Sequence, residues 1–356
     1  MKKILGNLLA ACMCGFLVNV PATGFTQAVW PEQGVPEHQE LRAKVKAEGP
    51  KLLFSDSPEM VYETGILYRD TLQGEGRLFF HHVNGTSKLK KLAIIVKNNG
   101  MRPVNFTVTR SGIDGPSHDY QAVGKKSQEY YFEEQKSKNS TLGFGKTLEL
   151  LGGEGMLLPT DQLLTGTIDF FSDRPVEVTV LMCDPKTDIE LFSALAKQLH
   201  PLRGTFVKAD LNYKLQHSID TEAGAGYALL LADSQTGEYL RGTDATTGLP
   251  AENYGNYGVI YNIDYKLKGD KPYELWLNPW GGMFAGVGVL EQGGQRKIIN
   301  IPESPAFGRL GEEGFCIARL EPNSEGRFTW SPPGASNLPI RLFWLPSDYE
   351  APYLHD

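Results

Sequence analysis

Gly145-Lys146-Thr147, inside the stretch NSTLGFGKTLELL, repeats the last three letters of a phosphate-binding loop and raises nucleotide chemistry as the first candidate. Such a loop needs a glycine six residues before the lysine, so that backbone N–H groups can wrap the phosphates ahead of a helix. Ser140 stands there instead, and Leu148 to Leu151 run straight into Gly152-Gly153, leaving no room for the helix whose N-terminus would face the anion. The stretch reads as a loop entering a strand.

The second glycine-rich piece, NPWGGMFAGVGVL, places Gly282 and Gly286 four apart, but Asn278 and Pro279 interrupt any membrane helix. Gly286-Val287-Gly288 lacks the third glycine of a dinucleotide loop. Glycines inside a strand mark a bulge or a close backbone approach, which is the reading here. His81 and His82 are neighbours on a strand, so they point to opposite faces and cannot chelate one metal together. Ser117-His118-Asp119 gathers three triad residue types, yet adjacent side chains cannot form a relay, so GPSHDY reads as a polar turn. These motifs imply no cofactor and no metal.

Aromatic residues carry more. Tyr254, Tyr257, Tyr261, Tyr265, Tyr273, Trp276 and Trp280 crowd one region, with Asn253, Asn256 and Asn278 between them. Exposed rings on a β-sandwich stack on sugars while amides bond hydroxyls, so Tyr254, Tyr257, Trp276, Asn278 and Trp280 are the candidate ligand-binding residues. The competing reading is core: Tyr257, Val259, Tyr261, Ile263 and Tyr265 share one face by alternation. A hydrolase with a dispersed carboxylate pair leaves no local signature and stays open beside both.

The elements that must hold these residues are read from periodicity. Residues 29–49 form a linker with a short helix over EHQELRAKVKAEG, stopped by Gly49-Pro50. From residue 50 the chain becomes short apolar or alternating runs broken by turn residues. GRLFFHHV and LKKLAIIVK flank Asn84-Gly85, which predicts a hairpin. VNFTVTR, EYYFEE, TLELLGG, GMLLPT, LLTGTIDFF and VEVTVLM follow as strands, with Val176, Val178, Val180 and Met182 on one face. One helix is expected at TDIELFSALAKQLHP, with Thr187 and Glu190 at capping-box spacing and Pro201 closing it. Strands resume from 202, with turns at Gly269-Asp270 and Gly293-Gly294, and Pro332-Pro333-Gly334 stopping another run. Leu-Arg-Gly-Thr occurs at Leu202 and again at Leu240, but the flanks differ, so it reads as coincidence and not as an internal repeat.

The resulting expectation is an all-β protein of two tandem antiparallel β-sandwich domains, jelly-roll or immunoglobulin-like, at 50–185 and 202–346. A connecting helix at 186–201 joins them, and residues 347–356 form a tail.

Lys2-Lys3 followed by an apolar run from Ile4 to Val18, with small residues ending at Ala22 or Ala28, has the layout of a cleaved secretory signal over residues 1–28. Leu9-Ala10-Ala11-Cys12 also fits lipid attachment at Cys12, but apolar residues continue past it, which favours simple cleavage. Cleavage removes Cys12 and Cys14, leaves Cys183 and Cys316, and moves the formal charge from -7 to -9 through loss of Lys2 and Lys3. An acidic surface repels phosphate backbones, so no nucleic-acid partner is expected. No later segment is long and apolar enough to span a bilayer. Cys183 and Cys316 lie in strand-like runs of different domains and read as buried free thiols, with an interdomain disulfide as the alternative.

The texture of FSDSPEMVYETGILYRDTLQGEGRLFFHHVNGTSKLKKLAIIVKNNG, with HPLRGTF and NYGNYGVIYNIDY…LNPWGGMFAG, resembles a group of uncharacterised exported β-rich bacterial proteins. Some of that group carry a stalk-type domain similar to the N-terminal domain of copper amine oxidases, which is missing here. Amine-oxidase chemistry would need Thr-x-x-Asn-Tyr-Asp/Glu; here Pro250 precedes Asn253-Tyr254 and Gly255 follows. The resemblance carries no catalytic residue. It implies an exported, envelope-associated protein, and the functional expectation is binding or scaffolding without catalysis, with an envelope glycan or another envelope protein as partner.

Overall fold

Two strands of unusual length organise the first half, and both need a break in pairing to bend. In a computed structural model that describes residues 27–29, 37–56, 60–151, 155–199, 203–234, 239–304 and 313–348, Gly65–Asn84 and Leu163–Cys183 run antiparallel along their whole lengths. The register slips between Ser172 and Val176. Pro175 sits inside that slip, where a residue without an N–H costs the ladder nothing. Beyond it the strand changes neighbours: residues 163–172 pair with Val104–Ser117, whereas 177–183 pair with Lys90–Lys97. LLTGTIDFF and VEVTVLM are therefore one strand. Val176, Val178, Val180 and Met182 do share a buried face, against Leu67, Ile94 and Val96.

The expected Asn84-Gly85 hairpin does not form, because Leu163–Cys183 is inserted between its two arms. Asn84 is buried, donates to the carbonyls of Lys88 and Leu158, and accepts from the Thr86 amide. It ties a loop, and neither residue takes positive φ. By contrast, Gly293-Gly294 has φ of 58° and 75° and joins Phe284–Gln292 to Gln295–Ser304 as a hairpin.

Residues 37–49 are strands and not a helix. His38–Glu40 joins a six-stranded sheet beside Gly226–Leu231, and Ala43–Glu48 joins a seven-stranded sheet beside Asp210–Leu215. The segment AKVKAE alternates charged and apolar residues with period two, and an open sheet edge outweighs its helix propensity. Its exposed Lys44 and Lys46 suit an edge. Residues after the connecting segment cross the other way: Arg203–Phe206, Arg241–Thr243 and Pro250–Glu252 extend the first half's twelve-stranded sheet. The sheets are mixed, since Lys51–Ser55 pairs in parallel with Gly65–Asn84 and Asp210–Leu215 in parallel with Ile260–Lys268. The β-rich expectation holds, while pure antiparallel pairing does not.

The second half packs its two sheets over Tyr213, Tyr261, Ile263, Leu275, Phe315, Trp330 and Trp344, and this core continues into Leu52, Phe54 and Phe79 of the first half. Val259, Tyr261, Ile263 and Tyr265 belong to it, as alternation predicts.

EYYFEE, expected as a strand, is the end of a helix, α1 (Tyr120–Phe132). The Asp119 carboxylate caps it by accepting from the Ala122 amide at 3.1 Å. Its buried face is Val123, Gly124, Ser127, Gln128, Tyr131 and Phe132. That spacing is helical, but half the face is polar or lacks a side chain, so hydrophobic periodicity misses it. The second helix, α2 (Ile189–Leu195), is shorter than expected and capped by Asp188 instead of Thr187. Cys183 and Cys316 are free thiols. The leader at 1–28 with Cys12 lies outside the described residues apart from the backbone of Gln27 and Ala28, and the tail does so beyond Asp348. No helix among the described residues is long and apolar enough to cross a membrane.

Candidate functional site

The junction between the halves is built around α1. Gly124 faces Gly334 so closely that a Cβ on it would lie 2.0 Å from the Gly334 carbonyl oxygen, and a Cβ on Gly112 would lie 2.0 Å from that of Ser127. With backbone so near on both sides, the helix's polar residues reach across: Gln128 Nε2 donates to the Ser331 carbonyl at 2.6 Å and Lys125 Nζ to that of Ile301 at 2.9 Å.

On one side of α1 lies a cavity of about 430 Å³ lined in part by Arg77, whose side chain is 3% exposed. Its guanidinium donates to both oxygens of Asp169 at 2.7 and 3.1 Å, and to Asp210 at 2.7 Å. Burial alone would lower the Arg77 pKa, but Asp169, Tyr131 and Asp210 hold it well above its ordinary value. Tyr131 donates to Asp169 at 2.7 Å. Both carboxylates are thus bonded to one cation, an arrangement that pins the halves together.

On the other side lies a cavity of about 490 Å³ walled by Asp56, Phe79, His81, Tyr120 and Gln121 from the first half and by Tyr254, Tyr257, Met283 and Gly334 to Asn337 from the second. Tyr254 is 59% exposed, and its ring meets Tyr239 edge-on at 6.2 Å. Tyr257 stacks on Phe79 at 6.2 Å and donates its hydroxyl to the Ser336 carbonyl at 2.8 Å, which fixes the ring. His81 is held by Thr165 at 3.1 Å, while His82 turns to the opposite face and meets Ser55 at 2.9 Å. Gln121 Nε2 is sheltered from solvent and has no hydrogen-bond partner among the described residues. Three phenol rings and a sheltered amide donor form a wall on which a polar molecule with flat apolar faces can lie.

Of the five residues expected from the sequence, Tyr254 and Tyr257 line this cavity and the other three do not. Trp276 packs with Ala228, Phe343 and Leu345 on the outer face of the six-stranded sheet. Asn278 is 1% exposed, and Trp280 lies under the Arg341 guanidinium, 4.0 Å from its ring centre. Asn253 and Asn256, expected to meet hydroxyls, are fully buried; Asn253 donates to the Tyr257 carbonyl and Asn256 to the Tyr261 hydroxyl. Tyr120, Gln121 and the 334–337 loop were not foreseen, since their place depends on α1. GPSHDY, expected as a polar turn, is instead the end of the strand Val104–Ser117 joined through a bend at His118 to the Asp119 cap of α1, with His118 bonded to the Asp161 carbonyl. Thr147–Glu149 is the strand expected after the Gly145 turn, and a bulge lies between Phe284 and Gly286.

A third hollow, of about 520 Å³, adjoins the second at Tyr254, which lines both. Among its walls are Arg203, paired with Asp244 at 3.1 Å, and Arg241, which is 3.9 Å from Glu252. Partial burial would raise the Asp244 carboxyl, but the Thr246 amide, Arg203 and Thr247 bond its charged form and hold it below the usual range. Among the described residues, no three His, Cys, Asp or Glu side chains gather to hold a metal ion.

No protein-family model matches this chain, and no curated protein is similar to it. Among solved structures it is similar to YhaK from Escherichia coli, at 11% identity over 86% of this chain and 94% of that one, with a TM-score of 0.16. It is also similar to the oxalate decarboxylase formate complex of Lactobacillus farciminis, at 9% identity over 91% and 87%, TM-score 0.17. A third is the salicylate 1,2-dioxygenase of Pseudaminobacter salicylatoxidans, at 10% over 86% and 77%, TM-score 0.15. Likeness at this level carries no argument about fold or function.

Proposed function

We propose that this chain is an exported, non-enzymatic binding protein that holds a saccharide of the cell envelope in the cavity between Tyr120, Tyr254 and Tyr257. One observation carries the reading: the exposed Tyr254 ring opens onto a cavity whose other walls include two more phenols and Gln121, whose Nε2 has no hydrogen-bond partner among the described residues. A pyranose has an apolar face for a ring and hydroxyls for an amide. Asp169 and Asp210 are both bonded to Arg77, which ties them into an ion pair joining the halves. Export rests on the leader-like residues 1–28.

The test is a titration of cello-, chito- and muropeptide-derived saccharides, read by intrinsic fluorescence and calorimetry. Binding that Tyr254→Ala weakens about tenfold, the worth of roughly one stacked ring, supports the reading. Absence of binding across that panel and a plant polysaccharide panel overturns it.

A further inference from the structure

Arg203-Gly204-Thr205 and Arg241-Gly242-Thr243, from the two Leu-Arg-Gly-Thr tetrapeptides, are neighbours in space. Arg203–Phe206 and Arg241–Thr243 are paired antiparallel strands in which the two copies meet at their last residues, Thr205 opposite Thr243. The glycines allow the approach: a Cβ on Gly242 would lie 2.2 Å from the Thr205 carbonyl oxygen, and one on Gly204 would lie 2.8 Å from the Ala251 Cβ. Both arginines therefore border the third hollow. Arg203 is 4% exposed, yet its Nη2 has no hydrogen-bond partner among the described residues, although Nη1 donates to the Leu67 and Leu199 carbonyls and Nε to Asp244. Each of the two adjoining hollows thus includes a residue with one sheltered donor lacking an acceptor, Gln121 in one and Arg203 in the other.

We infer that the ligand is an uncharged oligosaccharide that crosses the Tyr254 ring, with one end in the tyrosine-lined cavity and the other between Arg241 and Glu252. This rests on the saccharide reading above and names the class and length of the ligand. Among the described residues Tyr254 is the only one that lines both hollows, so it marks where a chain occupying both would cross. Two arginines balanced by Asp244 and Glu252 give the third hollow both donors and acceptors with no net charge. Hydroxyls, which donate and accept, match such a lining, whereas an anion would meet two carboxylates along with the arginines. The 3.9 Å gap between Arg241 and Glu252 is wider than a direct hydrogen bond, so a hydroxyl can bond to each of them without breaking one.

The experiment is calorimetry of the full chain with cellobiose and cellotetraose, chitobiose and chitotetraose, and tetragalacturonate, repeated on Arg241→Ala. Arg241 is three-quarters exposed, so the variant folds as the parent does. The expected result is that one neutral tetrasaccharide binds about tenfold more tightly than its disaccharide, and that Arg241→Ala removes that gain while leaving the disaccharide unchanged. Equal affinity for both lengths, or a gain that survives Arg241→Ala, overturns the extended ligand but not the saccharide site. Tighter binding of tetragalacturonate than of every neutral tetramer overturns the uncharged class. Failure of every saccharide to bind overturns the underlying reading as well.

Discussion

Arg77 and Asp210 meet at 2.7 Å across the junction of the two halves, and the same guanidinium holds Asp169 by two further hydrogen bonds. Arg77→Met leaves two carboxylates facing each other without their cation. The expected loss is about 3–5 kcal/mol in urea unfolding followed by tryptophan fluorescence. Replacing Asp169 and Asp210 by Leu in the same background recovers much of that, because the uncompensated charges are gone. A single-variant loss below about 0.5 kcal/mol would show that the triad is not what joins the halves.

Alkaline pH attacks a different set of groups. Burial, with Glu274 beside it, pushes the Cys316 thiol from 9.0 up to about 12, and burial raises the Tyr68 and Tyr273 hydroxyls from 10.0 to about 12. In the unfolded chain these groups lose protons first, so the stability they contribute is complete below pH 9 and is lost as pH rises toward 12. Melting temperature is expected to be level across pH 7–9 and to fall above it, with Cys316→Ala giving a shallower fall. A flat curve to pH 11.5 would contradict this.

Thiol counting tests the leader. Cys183 is buried and the Cys316 thiol is held protonated, so neither is expected to react quickly at pH 8 in the native protein. In denaturant, protein recovered from its native host is expected to give two thiols per chain, since cleavage at Ala22 or Ala28 removes Cys12 and Cys14. Four thiols would mean that the leader is retained.

Gly124→Ala should destabilise the protein although alanine is the better helix former by about 1 kcal/mol. The added methyl would lie 2.0 Å from a carbonyl oxygen of the 334–337 loop, and backbone cannot yield as a side-chain tip can. A net loss of roughly 1–3 kcal/mol is expected in the same unfolding assay. A stabilised variant would show that α1 is not seated on Gly334.

Legibility in the sequence followed the kind of signal each segment carries. Val176 to Met182 and Val259 to Tyr265 alternate strictly, and their buried faces were readable without coordinates. The Asn84-Gly85 turn failed because local turn chemistry does not reveal that Leu163–Cys183, some eighty residues later, takes the place between the strands. α1 was missed because half of its packing surface is glycine, serine and glutamine, which allow close approach and add little apolar area. The site shares that fate: an aromatic cluster can be seen in the sequence, but which rings face a cavity depends on α1 and on the strands that cross between halves.

Tyr254 and Trp276 separate the two meanings of that cluster. Tyr254 has 59% of its surface exposed and lines two hollows, so Tyr254→Ala removes little buried area. Its unfolding free energy is expected to stay within about 0.5 kcal/mol of the parent while saccharide affinity falls. Trp276 is 4% exposed against Phe343 and Leu345, and Trp276→Ala opens a void that should cost about 3–5 kcal/mol. Because Trp276 touches neither hollow, whatever folds of that variant should keep the parent's affinity. The reverse pattern, with Trp276 setting affinity and Tyr254 setting stability, would place the binding surface on the six-stranded sheet and away from the junction.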